Sequence, residues 1–240
     1  MKKRLDTLLV ERGLAPSREK AQTLLMMGVV RSGERRLSKP GVAVSEDLPL
    51  SLLSPLRYVG RGGLKLEAAL DAFAIEVTGL VAADIGCGTG GFTDCLLQRG
   101  AAHVYAVDVG RGQLHYRLRV DERVVVVEGV NARYPLRLPE LVDLATVDVS
   151  FISLRKVLPA LGEALVESGQ VIALLKPQFE ADRRGVGRGG VVRDPTVRLA
   201  VQTDFIDWCR AQGWGVRGCM DSPVAGRAGN REILVYLARP

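Results

Sequence analysis

No stretch of the 240 residues approaches the roughly 18 consecutive apolar residues that a bilayer span requires, so the sequence predicts no membrane helix. The opening MKKRLDTLLVERG lacks an apolar segment followed by a small-residue cleavage site, and no signal peptide is expected. The four cysteines (Cys87, Cys95, Cys209 and Cys219) have neither CxxC spacing nor disulfide density. A reduced, cytoplasmic setting without a metal site fits that usage. No GxxxxGK followed by Ser or Thr occurs, which excludes a P-loop, and there is no internal repeat or low-complexity tract. With 47% apolar and 25% charged residues, what remains is an ordinary soluble globular chain, long enough for one large domain or two smaller ones.

Positive charge is present but unevenly placed. Of the net +6, residues 1–60 hold 11 Lys+Arg against 6 Asp+Glu, while the other 180 hold 22 against 21. A basic face confined to one small segment points to a polyanion as partner. That segment reads as a module of its own. Leu5, Leu8 and Leu9 have helical spacing closed by Gly13, and a second helix runs from the cap Ser17 through Ala21, Leu24 and Leu25 to Gly28. Short strands around a Gly33 turn follow, with a second turn at Lys39, Pro40 and Gly41. Lys3, Arg4, Arg18 and Lys20 fall on the polar faces. The string RLDTLLVERGLAPSREKAQTLLMMGVV resembles the S4-type RNA-binding domain from residue 4 to about residue 50, although the turn reads VRSG where that family usually has VNG. The domain boundaries expected are 1–54 for this α+β module, 55–63 for a Pro- and Gly-rich linker, and 64–240 for the rest.

From residue 64 the pattern alternates helix and strand. A helix carries Lys65 in its first turn, and strands are predicted at LVAADIG, AHVYAVDVG, RVVVVEGV, LATVDVS and QVIALLK. Helices are predicted at GFTDCLLQRG, around 154–165, and from the cap Asp194 to Gly213, with a final strand pair at WGVRGCM and REILVYL. Alternation of this kind gives a doubly wound, mostly parallel sheet.

Gly86, Gly88 and Gly90 follow the first of these strands directly, where glycine lets backbone approach a ligand and turn sharply into a helix. Asp108 ends the next strand, 20 residues after Gly88, well placed for two ribose hydroxyls. So far a dinucleotide enzyme and a methyltransferase fit almost equally, because Gly86-x-Gly88-x-x-Gly91 also satisfies the Rossmann pattern. Asp84 shifts the balance, since a carboxylate there repels a pyrophosphate and suits the ammonium group of S-adenosyl-L-methionine. With the motif DIGCGTG, the region resembles a class I methyltransferase: a Rossmann-like, mostly parallel seven-stranded sheet with an antiparallel last strand. That resemblance implies a cofactor site at Asp84, Gly86, Gly88, Thr89, Gly90, Phe92, Asp108, Val109, Asn131 and Asp148.

One feature of VIALLKPQFE is unusual: five apolar residues lead straight to Lys176 and then Pro177. A lysine that merely snorkels into water is the simple reading. However, Asp148 and Lys176 both stand at carboxyl ends of strands, where ligands bind in such sheets. If the last strand is antiparallel, Glu232 begins it on that same edge, and Lys65 can reach over the cleft. The strings RGGLKL, DVSFISL, LLKPQFE and GNREILVYL resemble the TlyA family of ribosomal RNA 2′-O-methyltransferases, some of them labelled hemolysins, whose FtsJ-like catalytic tetrad would here be Lys65, Asp148, Lys176 and Glu232.

That resemblance implies transfer of a methyl group to a cytidine ribose. Lys176 would be the base and Lys65 would orient the hydroxyl, with ribosomal RNA or a ribosomal subunit as partner and a monomeric enzyme. Lys65 and the sulfonium push Lys176 toward its neutral form, while Asp148 and Glu232 push back. Arg183, Arg184 and Arg188 lie in a glycine-rich loop suited to phosphates, and Arg57 and Arg61 flank the linker. The chain stops directly after its last strand, as in the shorter family form that acts on the large subunit only. Competing readings are an amine or DNA N-methyltransferase, a ribosome-binding factor without activity, and a membrane-lytic protein. The first usually carries two prolines and an aromatic after the fourth strand, where DVSF stands here.

Overall fold

A computed structural model of the protein describes residues 2–52, 57–226 and 229–239. It divides into two compact units, residues 1–57 and 58–240. The boundary expected at 54–55 falls outside the described residues.

In the first unit, β1 (Lys2–Arg4) runs into α1 (Leu5–Glu11), then α2 (Arg18–Met27), β2 (Val30–Ser32), β3 (Arg35–Arg36), β4 (Ala43–Ser45) and β5 (Ser51–Leu52). The Ser17 side chain accepts from Lys20 N, and Gly28 closes α2 in the left-handed region, so both expected helix ends form. Leu5, Leu9, Ala21, Leu25 and Val30 make a small core between the helices and two short antiparallel sheets, β1–β4 and β3–β2–β5. Residues 51–52, which composition places near the linker, belong to this unit because they pair with β2.

Asp6 is fully buried, which an ionised carboxylate tolerates only with ample partners. Arg4 grips both of its oxygens, and Gln22 and Arg18 share Oδ2 at 3.0 Å each. Arg4 first, then Gln22 and Arg18, hold the carboxyl far below its usual range against the opposing push of burial. The buried acid thus holds the guanidinium groups of two arginines whose side chains remain half exposed.

In the second unit, residues 58–63 are not free linker. Tyr58 is buried, and Gly63 is glycine because any β-carbon there would strike its ring. α3 (Gly62–Ala72) follows, then β6 (Val81–Ile85), α4 (Gly91–Gln98), β7 (His103–Asp108), α5 (Tyr116–Arg119), β8 (Val124–Glu128) and β9 (Val142–Val147). The chain continues through α6 (Leu158–Leu161), β10 (Leu165–Leu175), α7 (Pro177–Glu180), α8 (Pro195–Ala211), β11 (Gly215–Asp221) and β12 (Ile233–Ala238). The single helix expected over 154–165 is instead two 3₁₀ turns flanking α6. Pro159 has no amide hydrogen to continue a helix from the preceding turn.

The seven strands lie in the order β11-β12-β10-β9-β6-β7-β8, and β12 alone runs antiparallel to its neighbours. Both faces are covered, which explains the unbroken apolar run in β10. Val171, Ala173 and Leu175 enter one core with Ile85 and Val147, while Ile172 and Leu174 enter the other with Leu66 and Leu96. Among the described residues, no helix is long and apolar enough to cross a membrane.

The turn from β6 to α4 is locked by a second buried acid. Asp84 accepts from the backbone N and Oγ1 of Thr93, at 2.8 and 2.6 Å, and from Thr146 Oγ1 at 3.3 Å. Burial raises its carboxyl to about 7 despite the Thr93 bonds, and the nearby Asp148 charge adds to the rise. Between the ordinary value near 3.8 and about 7, the folded chain therefore keeps a proton that the unfolded chain has lost. Stability must fall as pH rises through that window. Asp84→Asn, which keeps an acceptor for Thr93, is expected to flatten this slope in urea unfolding compared at about pH 5 and about pH 7. Identical slopes for the two proteins would contradict the assignment.

Candidate active site

Two adjoining cavities open at the carboxyl edge of the parallel strands. The first, of about 500 Å³, is lined by the glycine loop, Phe92, Asp108, Val109 and Asn131, with Asp84 and Asp148 at its base. Its backbone is shaped by close approaches. Gly86, at φ +82°, lies so near the Asp148 carbonyl that a β-carbon would meet it at 2.6 Å, whereas Gly88, at φ +51°, has open space beside it. Asp108 accepts from Gly88 N at 2.8 Å and from Gly110 N at 2.7 Å, so the acid that ends β7 also sets the loop after β6. Thr89 is exposed on the rim, and Asn131 accepts from Arg133 N at 3.0 Å in the loop after β8.

Asp84 differs from expectation. Both of its oxygens are engaged by Thr93 and Thr146 and it is wholly buried, so it fixes the α4 N-terminus beneath the cavity. A direct grip on a ligand ammonium is not its arrangement here.

The second cavity, of about 770 Å³, shares with the first a wall made by Arg61, Gly62, Thr89, Asp148, Ser150, Phe151 and Lys176. Lys65, Asp148, Lys176 and Glu232 all line it. Lys65 comes from the buried face of α3 and meets Glu232 Oε2 at 2.5 Å; the two are 8% and 3% exposed. Lys176 Nζ lies 2.6 Å from Asp148 Oδ1, too far out of line for a hydrogen bond, and donates to Ser150 Oγ at 2.9 Å. Pro177 accounts for the lysine's setting. It occupies the first position of α7, where no amide hydrogen is needed, and its ring keeps Lys176 extended at the strand end. Glu232 reaches this edge because β12 starts there, and Gly226 packs against its carboxylate.

Sequence reasoning missed the aromatic side of this cavity. Phe151 is 92% exposed, sits at φ +64°, and packs 5.2 Å from the Phe179 ring; both line the second cavity. Nothing in DVSFIS signals a left-handed residue. Ser150 was likewise missed, since only the fold brings it to Lys176.

The basic residues divide. Arg61 is exposed and lines both cavities, while Arg184 and Arg188 are exposed in the loop after α7. The neighbouring glycines Gly189 and Gly190 line the second cavity. The side chain of Arg183 lies outside the described residues. In the first unit Arg4, Arg18 and Lys20 are exposed, as is Arg57 at its end. Three of these cations are paired within the unit: Asp6 holds Arg4 and Arg18, and Glu11 and Glu46 hold the Lys3 ammonium at 2.8 and 3.2 Å.

This geometry has known counterparts. Residues 58–239 match the FtsJ-like methyltransferase family and residues 3–48 match the S4 domain. The Bacillus subtilis protein YqxC is 52% identical over 243 residues, covering 100% of this chain and 86% of its own length. The Mycobacterium tuberculosis 16S/23S rRNA (cytidine-2′-O)-methyltransferase TlyA is 45% identical, covering 98% and 89% respectively. A solved structure of a hemolysin-labelled protein from Streptococcus thermophilus superposes with a TM-score of 0.77 at 44% identity, over 99% of this chain and 88% of that one. With a Rossmann-like sheet whose glycine loop and paired lysines share one edge, and an S4 domain ahead of it, the chain belongs to the FtsJ-like methyltransferase family, in the branch that contains TlyA.

Proposed function

We propose that the protein transfers a methyl group from S-adenosylmethionine to the ribose 2′-hydroxyl of a cytidine in ribosomal RNA, in the cytoplasm. The observation that carries this reading is the pair of lysine–carboxylate contacts in and beside the wall between the two cavities. The first cavity suits the methyl donor. Its glycine loop permits close approach at Gly88, and Asp108 stands at the edge where a ribose would lie. When bound, S-adenosylmethionine supplies a methyl group on positively charged sulfur.

The rest of the chemistry falls to side chains of this chain. A ribose hydroxyl is a weak acid and a poor nucleophile, so Lys176, as the neutral amine, would take its proton and free the oxygen to accept the methyl group that the cofactor would supply. Asp148 and Ser150 hold that amine at the wall, and Glu232 holds Lys65 where it can donate to the substrate oxygen. The exposed Phe151 ring offers a face on which a base can stack. Arg61, Arg184 and Arg188 supply phosphate contacts around the cavity, and the first unit supplies Arg4, Arg18, Lys20 and Arg57. Residues 1–57 serve RNA binding and residues 58–240 the reaction, within a single copy of the chain. Lys3, Arg4 and Arg18 would make such contacts from within their ion pairs with Glu11, Glu46 and Asp6.

The deciding experiment supplies labelled S-adenosylmethionine with each purified ribosomal subunit and maps ribose methylation by reverse-transcription stops. Label is expected in a cytidine of the large subunit; no label in either subunit would refute the reading. Lys176→Ala is expected to lower the single-turnover rate by about 10²–10⁴-fold while cofactor binding persists by calorimetry. An unchanged rate removes Lys176 as the base. For the first unit, Arg18→Ala is expected to weaken subunit binding and to reduce the slope of log K against log salt by about 1, measured by filter binding.

A further inference from the structure

The loops after β9 and β10 each carry half of the Lys176 constellation, and they are joined at three points. Lys176 reaches across to Asp148 and Ser150, and Phe179 packs on Phe151. The third join lies away from the reacting groups: Glu180, at the end of α7, accepts from Ser153 Oγ and from Leu154 N, both at 2.6 Å. It is partly buried, and no role in substrate or cofactor contact falls to it, since it lines neither cavity.

Between the first and third joins sits Phe151, at φ +64° and almost fully exposed. A non-glycine residue keeps such a backbone only where its surroundings over-determine it. Ser150 is gripped on one side by Lys176, and Ser153 and Leu154 are gripped on the other by Glu180. The strained residue is spanned by two anchors only a few positions apart. With the Glu180 end released, the segment can relax toward an ordinary conformation, which swings the Phe151 ring and slackens Ser150 against Lys176.

We infer that Glu180 is a positioning residue: its carboxylate bolts the 150–154 segment to α7, and so holds Phe151 toward the substrate and Ser150 on Lys176. The inference rests on the methyltransferase reading above for its consequence, but not for its structural content. Three full-length proteins, wild type, Glu180→Ala and Glu180→Gln, separate the two. Amide hydrogen exchange over residues 150–154 reads the bolt directly, and single-turnover methylation of the ribosomal subunit reads its effect.

The expected result is faster exchange in Glu180→Ala alone, with methylation slowed about 10- to 100-fold, the scale of a misplaced reacting group. Glu180→Gln, whose amide can still accept from Leu154 N and meet Ser153, is expected to restore both. Glu180→Ala at wild-type rate and exchange overturns the inference. So does an equal loss in both variants with the segment still protected. Should Glu180→Ala fail to fold, Ser153→Ala removes one of the two bonds, and wild-type exchange and rate in that variant overturn it equally. A wild type that methylates neither subunit refutes the functional reading alone, while the exchange contrast still decides the bolt.

Discussion

Two lysine side chains buried at the carboxyl edge of one sheet constrain everything around them. A lysine at 8% exposure is costly unless a carboxylate stands beside it, and removing one partner of such a pair leaves an uncompensated charge that typically costs about 3–5 kcal/mol. The chain therefore has to deliver Glu232 to Lys65 and Asp148 to Lys176. It does so with elements far apart in sequence: α3 at the start of the second unit, the ends of β9 and β10 in its middle, and the start of β12 near the chain's end. The antiparallel course of β12 is the condition for this. A parallel β12 would start on the opposite edge and leave Lys65 unpaired.

The same edge shows how a doubly wound sheet separates two tasks. Strands β6 and β7 end in the glycine loop and Asp108 and make one cavity, whereas β9, β10 and β12 deliver the lysines and acids to the next. Asp148 and Lys176 stand in the wall between them, where a donor and an acceptor would meet. Buried carboxylates recur as organisers. Asp84 fixes the α4 N-terminus and Asp6 holds two arginines in the first unit, while the partly buried Glu180 ties the loop after β9 to α7. In each case donors from another segment meet the acid, so one side chain sets the geometry of two.

Local signals in the chain carried a great deal. Ser17, Gly28, Asp194 and Pro195 fixed helix ends because capping chemistry depends on a few neighbouring residues. Apolar alternation and the unbroken runs of β6, β7 and β10 announced a sheet buried on both faces, and the placement of Asp84, Asp108, Asp148 and Lys176 after such runs marked the binding edge. The errors were local conflicts. Helical spacing over 154–165 ignored Pro159, and the glycines of 58–63 looked like linker although Tyr58 and α4 pack on them.

The sequence by itself therefore determined which residues end the strands, which cap the helices and which segment is basic, because these follow from covalent geometry, periodicity and composition. Only the tertiary structure decided which lysine pairs with which acid, that Asp84 spends its oxygens on Thr93 and Thr146, that Lys3 is neutralised by Glu11 and Glu46, and that Phe151 is held left-handed in the open. Those are contacts between residues up to 167 positions apart. Their energies depend on distance and burial, which the order of residues along a chain does not contain.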